Sequence, residues 1–429
     1  MNEFKGKRLL VLGGGHASLP IVRIAKEEGA YVIVTDYLKS GVAKEIADEA
    51  LVVSTADIDA LAEIVKEKKI DGVFSGPSEF NIVNVMKLCK KTGLPFYATG
   101  EQWDICSDKA LFKQMCRDSG VPCVPEYHVT QEFLKEDLET IKYPVIVKPV
   151  DSSSSRGITV VQSKEELIPA YQEALSFSKK GHVIVEKYIN NDFVFSVKYV
   201  AYNGEIQLLL TSDSYIVDPI GRTALIANVT VFPSKLYKQY IQTVDPAVKK
   251  MFKTLGIQNG AFFMQALVNQ EDGNIYFHEM GLRLSGGYTY TVTEPVTGIS
   301  DAKMMIRYAL GLGLSSPEEI ERIDPTLKGQ FAVSVCVPLK PGVIAHIEGV
   351  EACRSNLNMV GFLQYYHEGD EITTSKVGTI DQHFCRIKLL CHDYTEIEKS
   401  INFIMENIKV IDVNGKDMLF KRFDTTRLE

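Results

Sequence analysis

The run Ala261-Phe262-Phe263-Met264-Gln265-Ala266-Leu267-Val268-Asn269 leads, through Gln270-Glu271-Asp272-Gly273-Asn274, into Ile275-Tyr276-Phe277-His278-Glu279-Met280-Gly281-Leu282-Arg283. The two apolar runs read as successive strands, 261–269 and 275–279. The polar turn containing Gly273 joins them as a hairpin. Neighbouring strands bring Gln265 and Glu279 to one place, and both offer oxygen. Mg²⁺ takes oxygen ligands and usually shares them with nucleotide phosphates. Arg283, four residues past Glu279, carries a planar fork suited to a phosphoryl group or a carboxylate.

Upstream, Val145-Ile146-Val147-Lys148-Pro149 reads as a buried strand ending in a lysine. A buried ammonium is costly unless paired, so Lys148 stands out. The loop Asp151-Ser152-Ser153-Ser154-Ser155-Arg156-Gly157 follows directly. Its small residues let backbone N–H groups approach phosphate oxygens. The strand 158–161 returns, and a helix spans 164–178. Lys109 opens a helix over 108–119, with Ser107 as the expected cap. Val185-Glu186-Lys187-Tyr188-Ile189 is a strand running into a turn.

The first hundred residues alternate strand and helix patterns. Strands are expected at 9–12, 31–35, 50–54, 72–75 and 95–98, which implies a doubly wound parallel sheet. Gly13-Gly14-Gly15 follows the first strand, and Asp36 closes the second. This half-matches a dinucleotide fingerprint, but Ser18 stands where the third glycine belongs. The loop reads as an NAD site, as a small-anion or substrate-contacting loop using Gly15 and Ser18, or as a structural turn.

The order and spacing of these segments resembles the ATP-grasp superfamily, closest to the carbamoyl-phosphate-synthase-like, biotin-carboxylase-like and L-amino-acid-ligase-like members. The resemblance covers about residues 1–310. It implies an α/β and α+β fold: an N-terminal doubly wound parallel-sheet domain (1–105), an ATP-grasp domain of two lobes (106–186 and 187–312), a linker (313–328) and a smaller C-terminal α+β domain (329–429). It implies ATP and Mg²⁺, or Mn²⁺, as cofactors. Lys109 and Lys148 then reach the phosphates, and Ser153, Ser154, Ser155, Arg156 and Gly157 form the loop closing over them. Glu186, Lys187 and Ile189 hold the adenine edge, Gln265 and Glu279 the metal, and Arg283 the transferred phosphoryl group. Arg283 and Lys148 are the catalytic residues of this reading. Gly281 departs from the family motif, which has a metal-binding Asn there. The ribose-binding acid has only Asp192 as a substitute. Gly15, Ser18, Glu79, Ser285, Gly286 and Gly287 are expected to contact substrate.

The chemistry implied is ligation of a carboxylate to an amine through an acyl phosphate, releasing ADP and phosphate. A bicarbonate-using carboxylase or carbamoyl-type ligase is the second reading, and a nucleotide-binding module without turnover the third. Bulk properties agree with small-molecule chemistry. The 429 residues carry a net charge of −8, against nucleic acid as a main partner. No apolar run is long enough for a membrane span. Eight cysteines without CxxC pairing suit a reducing cytoplasm. His383, Cys385, Cys391 and His392 crowd together, but their spacing matches no standard zinc site. A homodimer is expected by analogy alone.

Overall fold

The computed structural model describes residues 2–151, 157–217 and 226–428. At the N-terminus, four parallel strands stand in the order Glu49–Leu51, Tyr31–Thr35, Arg8–Leu12, Gly72–Ser75. Both faces of this sheet are covered. Leu9 and Val11 enter the main core, while Leu10 and Leu12 enter a second core with Leu61, Val65 and Leu88. Continuous apolar strands are what two covered faces require. The expected fifth strand at 95–98 does not form. Pro95 lacks the donor a ladder needs, and Tyr97 instead sends its hydroxyl 185 residues down the chain to the Leu282 carbonyl, 2.9 Å away.

The next lobe is a four-stranded antiparallel sheet, Glu126–Tyr127, Val183–Lys187, Val145–Pro149, Thr159–Val161, backed by the helix Lys164–Phe177. The helix Lys109–Asp118 is capped by Asp108, not Ser107. The Asp108 carboxylate accepts from the N–H groups of Ala110 (2.9 Å) and Leu111 (3.1 Å), and Ser107 ends the preceding helix Gly100–Ser107.

The largest element is an antiparallel sheet of eight strands. Their order is Ile275–Gly281, Gly260–Val268, Phe193–Tyr202, Glu205–Val217, Ile226–Phe232, Phe331–Pro338, His383–Cys391, Met359–Gln364. Its last three strands come from residues 329–429, so the C-terminal α+β region extends this sheet. A small sheet of Glu371–Ile372, Gly342–Glu348 and Lys409–Asp412 and the helices Val350–Asn356 and Tyr394–Asn407 complete that region. The stretch 313–328, read as a linker, carries the short helix Pro317–Glu321 and buries Ile323 and Leu327. A further helix, Tyr290–Thr297, was not legible because Pro295 lies inside it.

All eight cysteines are free thiols, and among the described residues no cluster of three His, Cys, Asp or Glu side chains is placed to hold a metal. Among the same residues no helix is long and apolar enough to cross a membrane.

Candidate active site

The hairpin quoted at the outset forms as read. Gln265 and Glu279 are direct cross-strand partners, and an irregularity in register follows immediately between Gln265 and Ala266. Directly opposed side chains share a face, and both residues line a cavity of about 760 Å³. Glu279 and Arg283 also line a second cavity, of about 400 Å³, with Lys109, Asp151 and Glu79. Glu279 and Arg283 therefore stand at the junction of two spaces.

Arg283 is held there by three contacts. It pairs with Glu79 at 3.0 Å, donates to the Leu284 carbonyl at 3.1 Å, and lies 5.0 Å from the centre of the Phe263 ring. Its Nε is buried without an acceptor. An orphaned guanidinium donor at a cavity wall is a place for a ligand oxygen. Phe263 also explains the departure at Gly281. A Cβ on residue 281 would stand 2.5 Å from the ring edge, so no Asn fits while Phe263 carries Arg283.

Lys148 is paired, as its burial demands. Its Nζ is 2.6 Å from Glu186, and Glu186 also receives Lys113 at 2.6 Å. Residues 146 and 186 are ladder partners, which places Lys148 diagonally across from Glu186 on one face. Burial opposes the charge on Glu186, but the two ammonium groups outweigh it and carry the carboxyl down to about 2. Burial pushes the Lys148 ammonium below its ordinary range, with Glu186 opposing. His278 is driven to about 3 by burial first and by the Lys148 charge second, so it stays neutral. The carboxylate of Glu186, expected at the adenine edge, is engaged by Lys148 and Lys113. Lys113 had escaped notice, although its spacing of four from Lys109 on a helix was a signal for a shared side.

The remaining expected residues divide. Lys187 uses its backbone N–H on the Pro125 carbonyl, 2.9 Å away, and Ile189 sits in an apolar cluster with Val124, Val194 and Leu267. Gly157 has φ +71°, and a side chain there would strike Phe177. Ser153, Ser154, Ser155 and Arg156 lie outside the described residues. Asp192 is exposed, and its carbonyl accepts from Arg427 at 2.9 Å. Gly15, Ser285, Gly286 and Gly287 all line the larger cavity, and Glu79 the smaller. Ser18 does not: it is buried, and its hydroxyl turns back to the Leu12 carbonyl. Asp36 is likewise consumed, accepting from Gly14 N–H and Leu38 N–H at 2.9 Å each. Of the three readings of that loop, the structural turn is supported around Asp36, and Gly15 alone reaches a cavity.

The segment 285–289 is fixed from two sides. Tyr288, at φ +53°, donates to the His16 carbonyl at 3.1 Å. Arg386 donates to the Gly286 carbonyl at 2.7 Å, and Lys388 to the carbonyls of Gly287 and Tyr288. Neither cation was singled out in the sequence, since their partners lie about a hundred residues away.

Residues 108–317 match the family described as carbamoyl-phosphate synthase L chain, ATP-binding domain. This segment is an ATP-grasp domain. The chain is 25% identical over 320 residues to a formate-dependent phosphoribosylglycinamide formyltransferase of Methanocaldococcus jannaschii, covering 72% of this chain and 77% of that one. Its fold superposes on L-amino acid ligase from Bacillus licheniformis with a TM-score of 0.76 at 20% identity, over 95% of this chain and 99% of that one. It superposes equally well, at 0.76 and 22% identity over 94% and 91%, on the biotin carboxylase domain dimer of Hydrogenobacter thermophilus 2-oxoglutarate carboxylase, solved with MgADP and bicarbonate. The matched segment is an ATP-binding domain of that family, and the oxygen donors at the site are of the kind that hold Mg²⁺. The donor set fits: two cross-strand oxygens at a cavity leave the other positions of a hard cation to phosphates and water.

Proposed function

We propose that the chain joins a small carboxylate to an amine, forming an amide through an acyl phosphate. The observation that carries the reading is the position of Glu279 and Arg283 on the walls of both cavities. A phosphoryl group leaving a nucleotide in one space for a carboxylate in the other passes between them. Carboxylates are poor acyl donors because oxide leaves badly, and phosphorylation replaces that leaving group with phosphate. The amine then attacks the acyl carbon. Catalysis of such transfers is mostly positioning and charge neutralisation. Gln265 and Glu279 would hold Mg²⁺, which would supply charge neutralisation at the phosphate oxygens. Lys109 and Lys148 face the phosphates, Glu186 and Lys113 keep Lys148 in place, and Arg283 orients the transferred group. Ser285, Gly286 and Gly287 line the acceptor space.

The size of the larger cavity favours this reading over a bicarbonate-using carboxylase. Its volume of about 760 Å³ suits a substrate of many atoms, whereas bicarbonate has four heavy atoms. Eight unpaired thiols support a cytoplasmic location, and the dimeric state of the biotin carboxylase neighbour motivates a homodimer, which light scattering tests.

The test is ADP release with pooled carboxylates and amines. The wild-type chain releases ADP only when an acceptor pair is present. Glu279→Ala lowers that rate by about 10²-fold or more with an unchanged melting temperature. Bicarbonate alone sufficing would establish the carboxylase, and nucleotide binding without turnover for any pair would establish a silent module.

A further inference from the structure

Among the described residues five lysines are buried, and four of them are matched to acceptors; Lys44, in the N-terminal domain, donates to the carbonyls of Asp36 and Leu38. Lys113 and Lys148 share Glu186, and Lys388 is spent on two backbone carbonyls. Lys198 differs. It stands on strand Phe193–Tyr202 with 8% of its surface exposed, and among the described residues its Nζ meets only the Ser212 hydroxyl and, at 5.2 Å, the Phe232 ring. Among the described residues no carboxylate lies within ion-pair distance of it. Asp213 and Asp301 act on it only at longer range, and Asp213 is already spent on Ser234 and the Lys235 N–H.

Lys198 also lines the larger cavity, on a floor that carries the hydroxyls of Ser196, Ser214, Thr230 and Ser334 as well as its partner Ser212. One ammonium with three donors and a single neutral acceptor is an incomplete arrangement. A buried cation is costly without a counter-charge. Its position on a substrate-cavity wall says where that charge comes from.

We infer that Lys198 and the hydroxyl-bearing sheet floor form a subsite for a second anionic group of the substrate, a carboxylate or phosphoester distinct from the carboxylate that is activated at Glu279 and Arg283. This assignment deepens the ligase reading and rests on it for the identity of the cavity. Burial, opposed by Asp213 and then Asp301, takes the ammonium down to about 7. An incoming anion supplies what Ser212 cannot and favours the charged form.

The experiment compares matched ligands by calorimetry in the presence of ADP and Mg²⁺. L-aspartate and L-glutamate are set against L-asparagine and L-glutamine, succinate against succinamate, and phosphoserine against serine. The wild-type protein binds the acid of at least one pair about tenfold or more tightly than its neutral partner, the scale expected when a site's charged group is left unpaired. The carboxylate and phosphoserine pairs tell the two anions apart. In Lys198→Met that preference falls to about twofold or less, and Lys198→Arg, which keeps the charge, retains part of it. No acid preference in the wild-type protein overturns the subsite even where the variants fail to fold. An unchanged preference in a folded Lys198→Met overturns it as well. Acid-selective binding without ADP release under any pairing leaves the subsite standing and removes the ligase reading, so the two failures are distinguishable.

Discussion

Lys148 and Lys198 sit in different sheets of one molecule and answer the same problem in opposite ways. Each is a buried ammonium, 6% and 8% exposed. Lys148 has a carboxylate of its own, which it shares with Lys113. Lys198 has a hydroxyl and an open cavity. A closed charge cluster serves stability and position, because Glu186, with Glu126 at 2.7 Å from Lys113, balances the two lysines before any ligand arrives. An open charge is poised for binding, because the ligand completes it. The contrast teaches that burial of a lysine is not itself a sign of function; the partner it lacks is the sign.

The largest expected effect breaks the closed side. Glu186→Gln leaves buried Lys148 without a counter-charge and Lys113 with Glu126 alone, and destabilises the fold by about 3–5 kcal/mol in denaturant titration. The same cluster makes the wild-type protein acid-sensitive. The Glu186 carboxyl titrates near 2 when folded against an ordinary value of 4.5, so it stabilises above about 4.5 and that contribution is lost as pH falls toward 2. A wild-type stability curve flat between pH 5 and 2.5 would remove the cluster as a stabilising unit.

On the open side the sign reverses. Lys198→Met removes an uncompensated charge and raises stability by about 1–4 kcal/mol, as apolar replacement of buried charge can. The folded ammonium titrates near 7, below its ordinary 10.5. Its cost is therefore fully present below pH 7 and fades as pH rises toward 10.5, so the advantage of Lys198→Met shrinks over that range. A lower melting temperature for Lys198→Met at neutral pH would show that the two lysines are alike after all.

The smallest effect concerns the junction between the regions. Gly281→Asn restores the residue type the family motif has at this position, yet the Phe263 ring occupies the space. Its expected cost is about 1–3 kcal/mol, the range for overpacking, with a slower rate because Arg283 leans on that ring. Faster ADP release by Gly281→Asn would show that the second metal position was simply vacant and that Phe263 yields.

Much of this was legible in the chain itself. The hairpin at 261–283 was readable because two apolar runs, a Gly-containing polar turn and two oxygen-bearing residues all lie within 23 residues. Lys148 was readable because a cation ending an apolar strand conflicts with its neighbours, and that conflict is local. The same signal stood at Lys198, inside Phe193-Val194-Phe195-Ser196-Val197-Lys198-Tyr199, and passed unread. The Gly13–Asp36 loop shows the opposite error. Its fingerprint half-matched, but Asp36 caps the loop's own backbone and Ser18 points inward.

By itself, then, the sequence determined most element types, the cross-strand pairing of Gln265 with Glu279 and the cost that makes Lys148 seek a partner. These depend on strand period and local burial, which neighbouring residues encode. Only the tertiary structure decided which carboxylate Lys148 receives, that Lys113 shares it, that Phe263 excludes a side chain at 281, and that Lys198 is left open to a cavity. Those outcomes depend on charges and rings brought together from distant strands, and no local pattern specifies which of two buried cations will find its counter-charge within the chain.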